Sequence, residues 1–178
     1  MTRVLHITRS LQGGAGNACL KLHEALLANG ISSKVLYLEG EKRDIEELYA
    51  VKSKNTLFSK ITRKLGLSRK KEDIYYKRIK KLKGNYEAVS LPFSSYQLHL
   101  HPLVKKADII HLHWIGDFVD LPSFFEHVKQ PITWTLHDLN PISGIFHYEN
   151  DLKNNLLFAD FETEIYDIKQ TLLKKYRP

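Results

Sequence analysis

The sequence predicts an α/β fold in which helices flank a doubly wound, mostly parallel sheet, the Rossmann-like half of a larger fold. Two observations support this prediction. Short runs of β-branched and aromatic residues alternate with stretches that have the apolar spacing of helices. A glycine-rich turn also joins the first apolar run to the first helical stretch, as expected where a strand–helix–strand unit begins.

The first forty residues contain one complete strand–helix–strand unit. Residues 3–8 (RVLHIT) predict a buried strand, and residues 33–38 (SKVLYL) predict a second one. Between them an apolar helical pattern follows Asn17, the predicted N-cap, and ends at Gly30. Two strands joined by a helix imply parallel pairing with a right-handed crossover.

The second half of the chain continues the alternation. Residues 107–114 (ADIIHLHW) and 132–137 (ITWTLH) predict two further strands, separated by a short helix at residues 122–129. An amphipathic helix is predicted at residues 160–176. Because a crossover helix normally returns to the sheet, we expect residues 1–178 to be one domain that is incomplete at its C-terminus.

Composition narrows the class of protein. The chain has 43% hydrophobic residues, enough for a sizeable core, and no apolar run long enough to span a membrane. Cys19 is its single cysteine, so no internal disulfide can form and a cytoplasmic location is expected. The net charge of +7 is uneven, because residues 52–83 hold 13 Lys or Arg and only two acids.

The glycine loop that follows the first strand favours an anion. Gly13, Gly14 and Gly16 lie just before a helix, where free N–H groups and the helix dipole attract phosphate. A simple turn that needs positive φ is the alternative. The loop also approaches a dinucleotide fingerprint, with Cys19 at the third small position and Glu39 about 20 residues beyond, so a nicotinamide-dependent oxidoreductase is a competing prediction.

Histidines occupy the ends of the third and fourth predicted strands. His111 and His113 are two residues apart, so they face the same side of their strand. His137 and Asp138 close the fourth strand, and the carboxyl ends of parallel strands share one edge of the sheet. These side chains could form a sugar or phosphate site, hydrogen-bonded packing, or, together with His147, a zinc or iron centre.

Three segments, taken in order, resemble the N-terminal half of glycosyltransferases of family four: QGGAG, ADIIHLHW and TWTLHDLNPISGIFHY. The resemblance covers essentially the whole chain, and TLHD followed by G-x-x-HY is its most specific part. It implies the GT-B architecture, in which two Rossmann-like domains face a cleft. The second, nucleotide-binding domain of that architecture is absent from residues 1–178. This chain alone is therefore expected to be inactive.

The resemblance implies a retaining enzyme of bacterial surface-polysaccharide synthesis that needs neither a metal nor a cofactor. Such an enzyme moves a sugar from a nucleotide-sugar donor to a glycan or lipid-linked acceptor. His137 and Asp138 would be catalytic, with His137 beside the anomeric centre of the donor sugar. The resemblance also implies a loop near the donor phosphates and acceptor (Gly13, Gly14, Gly16) and an acceptor-side pair (His113, Trp114).

Residues 42–86 form a basic segment with helical spacing in parts. An anionic membrane surface attracts each nearby Lys or Arg by about 1 kcal/mol, so peripheral attachment to the inner face of the membrane is expected. A solvated helix face and a nucleic-acid-binding module without catalysis are the alternatives, but no nucleic-acid-binding motif is present and no nucleic-acid partner is expected. The residues predicted to contact the anionic surface are Arg69, Lys70, Lys71, Lys80 and Lys81.

Overall fold

A computed structural model of the chain describes residues 1–41, 43–52, 71–81 and 86–176, without the side chains of residues 71–73. In these residues five strands form one all-parallel sheet flanked by helices, which confirms the predicted α/β, Rossmann-like fold. The strands are β1 (Arg3–Ser10), β2 (Ser32–Glu39), β3 (Leu48–Ala50), β4 (Ile109–Leu112) and β5 (Ile132–Trp134). The helices are α1 (Gly13–Ala28), α2 (Lys71–Ile79), α3 (Pro102–Lys106), α4 (Leu121–His127), α5 (Glu149–Asn154) and α6 (Ala159–Lys175).

The strand order is β3-β2-β1-β4-β5, so the chain moves outward from β1 in one direction and later returns to the other side of it. The direction in which successive strands are added reverses between β1 and β4. These two strands pair His6 with His111 and Ile7 with Leu112. In open parallel sheets, ligands bind at the carboxyl edge near such a reversal. The topology therefore places the ends of β1, β4 and β5 around the position where a site is expected.

Several predicted boundaries are wrong. Helix α1 begins at Gly13, directly after β1, and its N-cap is Gln12 rather than Asn17, because Gly13 turns the chain with φ of +73°. The strands β4 and β5 are shorter than predicted, so His113 and His137 lie beyond the strand ends. The strand β3 was not predicted, because only three residues within the basic segment form it.

The two faces of the sheet are covered differently. On one face, Leu5, Ile7, Ile110 and Leu112 pack in a large apolar core with aromatic residues such as Phe124 and with α3, α4 and the end of α6. On the other face, α1 covers β1 and β2, whereas Thr133 on β5 is exposed among the described residues. That second face is partly polar, since it carries buried His6, Thr8 and Ser33, with His23 of α1 against Ser33.

A third apolar cluster joins the first half of α6 to the loop after β5. Ile145 and Phe146 from the loop pack against Phe161 and Ile165 from α6, and the aromatic side chains of α2 lie against this cluster. Burial of such side chains contributes about 1.5–3 kcal/mol each. The loop after β5 is therefore a packed part of the domain.

The basic segment is only partly described. Arg69 and Lys70 lie outside the described residues, and the side chain of Lys71 at the start of α2 does too. Lys80 and Lys81, just after α2, are exposed. Within the described part of the chain, no helix combines the length and the apolar character that crossing a bilayer requires.

Candidate functional site

The candidate site is a small, narrow pocket at the carboxyl edge of β4 and β5. Ligand pockets are usually apolar or aromatic concavities with a few polar groups that fix orientation, and this pocket has that character. The predicted residues that line it are His113, Trp114, His137 and Asp138, joined by Trp134 and His147.

His137 is half-buried and stands over His113. Nε2 of His137 lies 3.3 Å from Nδ1 of His113, and the two rings are stacked with centroids 5.5 Å apart. Burial lowers the pKa of His137, although the charge of Asp138 opposes the shift. The imidazole is therefore neutral at pH 7. Its Nδ1 makes no hydrogen bond with any residue that the structure describes, so it is available to a ligand.

Asp138 faces the interior. Its Oδ2 accepts hydrogen bonds from Trp114 Nε1 at 2.8 Å and from His147 Nδ1 at 2.6 Å, and its Oδ1 accepts from the Asn140 backbone N–H at 2.9 Å. Burial would raise the pKa of Asp138, but these hydrogen bonds and the nearby His147 outweigh it and lower the pKa. The ionised carboxylate fixes the Trp114 indole and the loop after β5.

Ser90, His147 and Asp138 form a hydrogen-bonded line with the geometry of a hydrolase triad. Ser90 Oγ lies 2.8 Å from His147 Nε2, and His147 Nδ1 lies 2.6 Å from Asp138. Ser90 and His147 are each only 2% exposed, and a Cβ at Gly116 would lie 3.0 Å from Ser90 Oγ. A substrate cannot reach this serine, so the line serves to orient Asp138. Sequence reasoning missed Ser90, because its partner His147 lies 57 residues away and no motif near Ser90 indicates the contact.

The structure places different requirements on the three glycines of the loop. Gly13 supplies the positive φ of the turn, and a Cβ at Gly16 would lie 2.4 Å from the Leu11 carbonyl carbon. A Cβ at Gly14 would meet nothing within 4 Å. The turn and the close approach thus explain Gly13 and Gly16, whereas Gly14 faces open space at the edge of the sheet.

The N-terminus of α1 is uncapped. Gln12 makes no side-chain hydrogen bond there, and the first turn contains no acidic residue. The first N–H groups of a helix have no partner within it, and they carry the positive end of its dipole. Because α1 follows β1 directly, these groups lie at the carboxyl edge and favour an anion.

Arg9 adds a cation at this edge that sequence reasoning did not identify. Its guanidinium donates to the Gly116 carbonyl at 3.1 Å, pairs with Glu39 at 3.1 Å and Asp117 at 3.3 Å, and lies over the Trp114 ring. A dinucleotide enzyme would use Glu39 to bind a ribose hydroxyl. In this structure Glu39 forms an ion pair with Arg9 instead. Only the fold brings together Arg9, Glu39 and Asp117.

His111 shares a face with His113, as predicted, but it does not line the pocket. Its Nε2 lies 2.7 Å from Thr135 Oγ1 on the exposed side of β5. Among the described residues, the potential metal ligands that lie within 4.8 Å of one another are His6, His111 and His113, and this group includes neither His137, Asp138 nor His147. A metal centre built from the latter residues is not supported.

Comparison of the chain with protein-family models, curated proteins and solved structures gave no significant match.

Proposed function

We propose that this chain is the acceptor-side domain of a retaining glycosyltransferase that uses a nucleotide-sugar donor. The observation that carries the proposal is a juxtaposition at one edge of a Rossmann-like sheet. The uncapped N-terminus of α1 follows β1, and the pocket with His137 follows β4 and β5. An anion-binding element beside a pocket lined by histidines and tryptophans suits a sugar joined to a diphosphate.

Transfer of a sugar from such a donor releases a nucleoside diphosphate, on which negative charge develops in the transition state. Fixed dipoles and cations aimed at that charge lower the barrier, since they need no reorganisation. In the proposed site the N–H groups of α1 take this role, whereas Arg9 is already paired with Glu39 and Asp117. Gly14 leaves the backbone open to close approach, because no side chain covers it.

His137 is proposed to contact the donor sugar beside the anomeric carbon. As a neutral imidazole it can donate or accept a hydrogen bond with a sugar hydroxyl, and its contact with His113 fixes the ring. Trp114 and Trp134 offer flat apolar surfaces for a sugar ring. Asp138 acts through Trp114 and the loop, so we assign it a positioning role rather than the direct catalytic role that the resemblance implies.

The remaining parts of the proposal extend the resemblance to family-four enzymes. A second domain would bind the nucleotide, and a glycan or lipid-linked acceptor would enter from the side of His113 and Trp114. The basic segment would hold the protein at the cytoplasmic face of the membrane. No metal or organic cofactor takes part in the transfer.

The test is a transfer assay with the full-length protein that carries residues 1–178. A panel of UDP-, GDP- and dTDP-sugars is incubated with extracted lipid-linked acceptors, and released nucleoside diphosphate is quantified. We expect release with one class of donor and a product whose anomeric configuration, read by NMR, matches that of the donor. Oxidation of NADH or NADPH without release of any nucleoside diphosphate would overturn the proposal in favour of an oxidoreductase.

A further inference from the structure

Three histidines meet on the face of the sheet that α1 covers only in part. His6 on β1 is paired in register with His111 on β4, and His113 follows two residues later on the same face. The ring centroids are 5.2 Å apart for His6 and His111, 5.4 Å for His6 and His113, and 4.4 Å for His111 and His113. The parallel register thus brings one imidazole of β1 against two of β4.

We propose that His6, His111 and His113 form a binding site for a divalent transition-metal ion of the zinc class. One nitrogen from each of the three imidazoles lies within 4.8 Å of the other two. Three imidazoles with a fourth position left for water are a standard zinc ligand set. The proposed metal site shares His113 with the pocket, but the proposal does not depend on the proposed function.

The distances suit tetrahedral coordination. Zinc binds imidazole nitrogen at ~2.0–2.1 Å, which places two ligand nitrogens roughly 3.3 Å apart at the tetrahedral angle. His6 Nδ1 and His113 Nε2 are already 3.2 Å apart. His111, half-buried on β4, offers the third nitrogen within 4.8 Å of the other two, and a small shift of its ring that keeps the contact with Thr135 closes the remaining distance.

His6 has an unsatisfied nitrogen. Its side chain is fully buried, and Nε2 makes no hydrogen bond with any described residue. An unpaired buried polar group is unfavourable, and such groups are rare in folded proteins. With the proton of His6 on the unpaired Nε2, Nδ1 presents its lone pair toward His113, and this is the nitrogen that the metal would take.

The ligands are held in a state that can bind a metal. Burial, reinforced by the neighbouring histidines, lowers the pKa of both His6 and His113 to about 3, so both are neutral near pH 7. Contacts outside the cluster orient two of the rings: His111 Nε2 lies 2.7 Å from Thr135 Oγ1, and His113 Nδ1 lies 3.3 Å from His137 Nε2. Such contacts typically raise metal affinity 10–100-fold. His111 is only half-buried, and the exposed Thr133 and Thr135 beside it leave a path for the ion.

The experiment is a titration of the tag-free chain with Zn²⁺, followed by calorimetry, and with Co²⁺, followed by visible absorption. We expect one equivalent per chain, Co²⁺ bands with the intensity of four-coordinate geometry, and a raised melting temperature. His111→Gln at the rim should weaken binding at least tenfold while keeping the fold. His6→Gln should do the same, with circular dichroism to confirm folding.

The matched control is His127→Gln, because His127 is an exposed histidine stacked on His99, well separated in the fold from the cluster. This variant should bind metal like the parent chain. Three outcomes would overturn the proposal: no stoichiometric binding, equal binding by His111→Gln, or loss of binding in His127→Gln. The first would leave the cluster as a chain of hydrogen-bonded imidazoles, and the last would assign the ion to the His99–His127 pair.

Discussion

Gly14 and Gly16 lie in one glycine-rich loop and follow different physical requirements. Gly16 is buried under the backbone of Ser10 and Leu11, and its missing Cβ is what allows α1 to start directly after β1. Gly14 has neither positive φ nor a close neighbour. Sequence alone predicted an anion-facing loop for all three glycines, since it does not reveal which of them the chain path requires.

We predict opposite effects for two alanine substitutions in this loop. Gly16→Ala should lower the free energy of unfolding by about 1–3 kcal/mol, because its Cβ would meet the Leu11 carbonyl group at 2.4 Å. Gly14→Ala should be neutral or stabilising by up to ~1 kcal/mol, since alanine is the better helix former. Urea unfolding of both variants measures this difference. Equal destabilisation by the two would contradict the distinction.

At the residue scale, sequence reasoning found the pocket residues that end a strand and missed those that depend on distant pairing. His113, Trp114, His137 and Asp138 each follow an apolar run, which marks the carboxyl edge of a parallel sheet. Arg9 has no such signal, because its partners are 30 and 108 residues away. Long-range contacts of this kind come from the topology alone.

At the scale of elements, α6 determines the shape of the loop after β5. The Glu162 carboxylate accepts from the backbone N–H groups of Gly144 at 2.6 Å and Ile145 at 2.5 Å. Nζ of Lys169 donates to the Asn140 carbonyl at 2.6 Å and the Gly144 carbonyl at 2.5 Å. One helix thus holds the loop through both a buried anion and a buried cation, two turns apart.

Lys169 should make stability depend on pH. Burial lowers its pKa from 10.5 in the unfolded chain to about 7, against the attraction of Glu162, Asp138 and Asp117. Between pH 7 and 9.5 the unfolded state therefore binds more protons, so the free energy of unfolding rises with pH, on the order of 1–3 kcal/mol. Chemical denaturation at several pH values measures the slope.

The controls for this slope lie on the same helix. Lys169→Met should flatten the rise between pH 7 and 9.5, whatever it does to stability at pH 7. Lys175→Met, at an exposed position of α6, should keep the slope of the parent chain. A parent slope of zero or of opposite sign would show that Lys169 stays charged in the folded chain.

Element boundaries were less predictable than element types. The strands β1, β2, β4 and β5 and the helices α1, α4 and α6 were predicted as such, because apolar periodicity and breakers mark them. The start of α1 was misplaced by five residues, since glycine is a poor helix former and Asn17 is a good N-cap. At this position the close packing of Gly16 on the backbone of Ser10 and Leu11 outweighs the low helix propensity of glycine.

At the scale of the whole molecule, charge is separated along the chain. Residues 52–83 carry a net charge of +11, and the remainder carries −4. The described end of this segment, α2, packs through its aromatic residues on the cluster beside α6, while Lys77, Lys80 and Lys81 are exposed. The folded domain thus presents cations next to the element that supports the pocket loop.

We predict that the protein binds anionic vesicles in a salt-sensitive manner. Each Lys near such a surface contributes about 1 kcal/mol, so Lys80→Glu with Lys81→Glu should weaken binding at least ~30-fold. The matched control carries Lys105→Glu with Lys106→Glu, which reverses the charge of two exposed lysines at the end of α3. Vesicle co-sedimentation at low and high salt measures both. Equal binding to neutral vesicles, or an equal loss in the control, would refute attachment through this segment.

The overall fold could be predicted because it depends on periodicity, which a sequence carries directly. The proposed function depends on a few side chains that the strand order brings together. His137 is the residue for which the proposed function makes its strongest prediction. Its half-buried, neutral imidazole, whose Nδ1 makes no hydrogen bond with a described residue, is what the proposed transfer requires.

The most direct test of this central claim is the turnover of the His137→Ala variant of the full-length protein, measured with the donor that the wild type uses. Loss of one transition-state contact lowers turnover by ~100-fold or more, and we expect an effect of that size with folding unchanged. His127→Ala, at an exposed histidine of α4, should leave turnover unaltered. An unchanged rate in His137→Ala would contradict the assignment of the site.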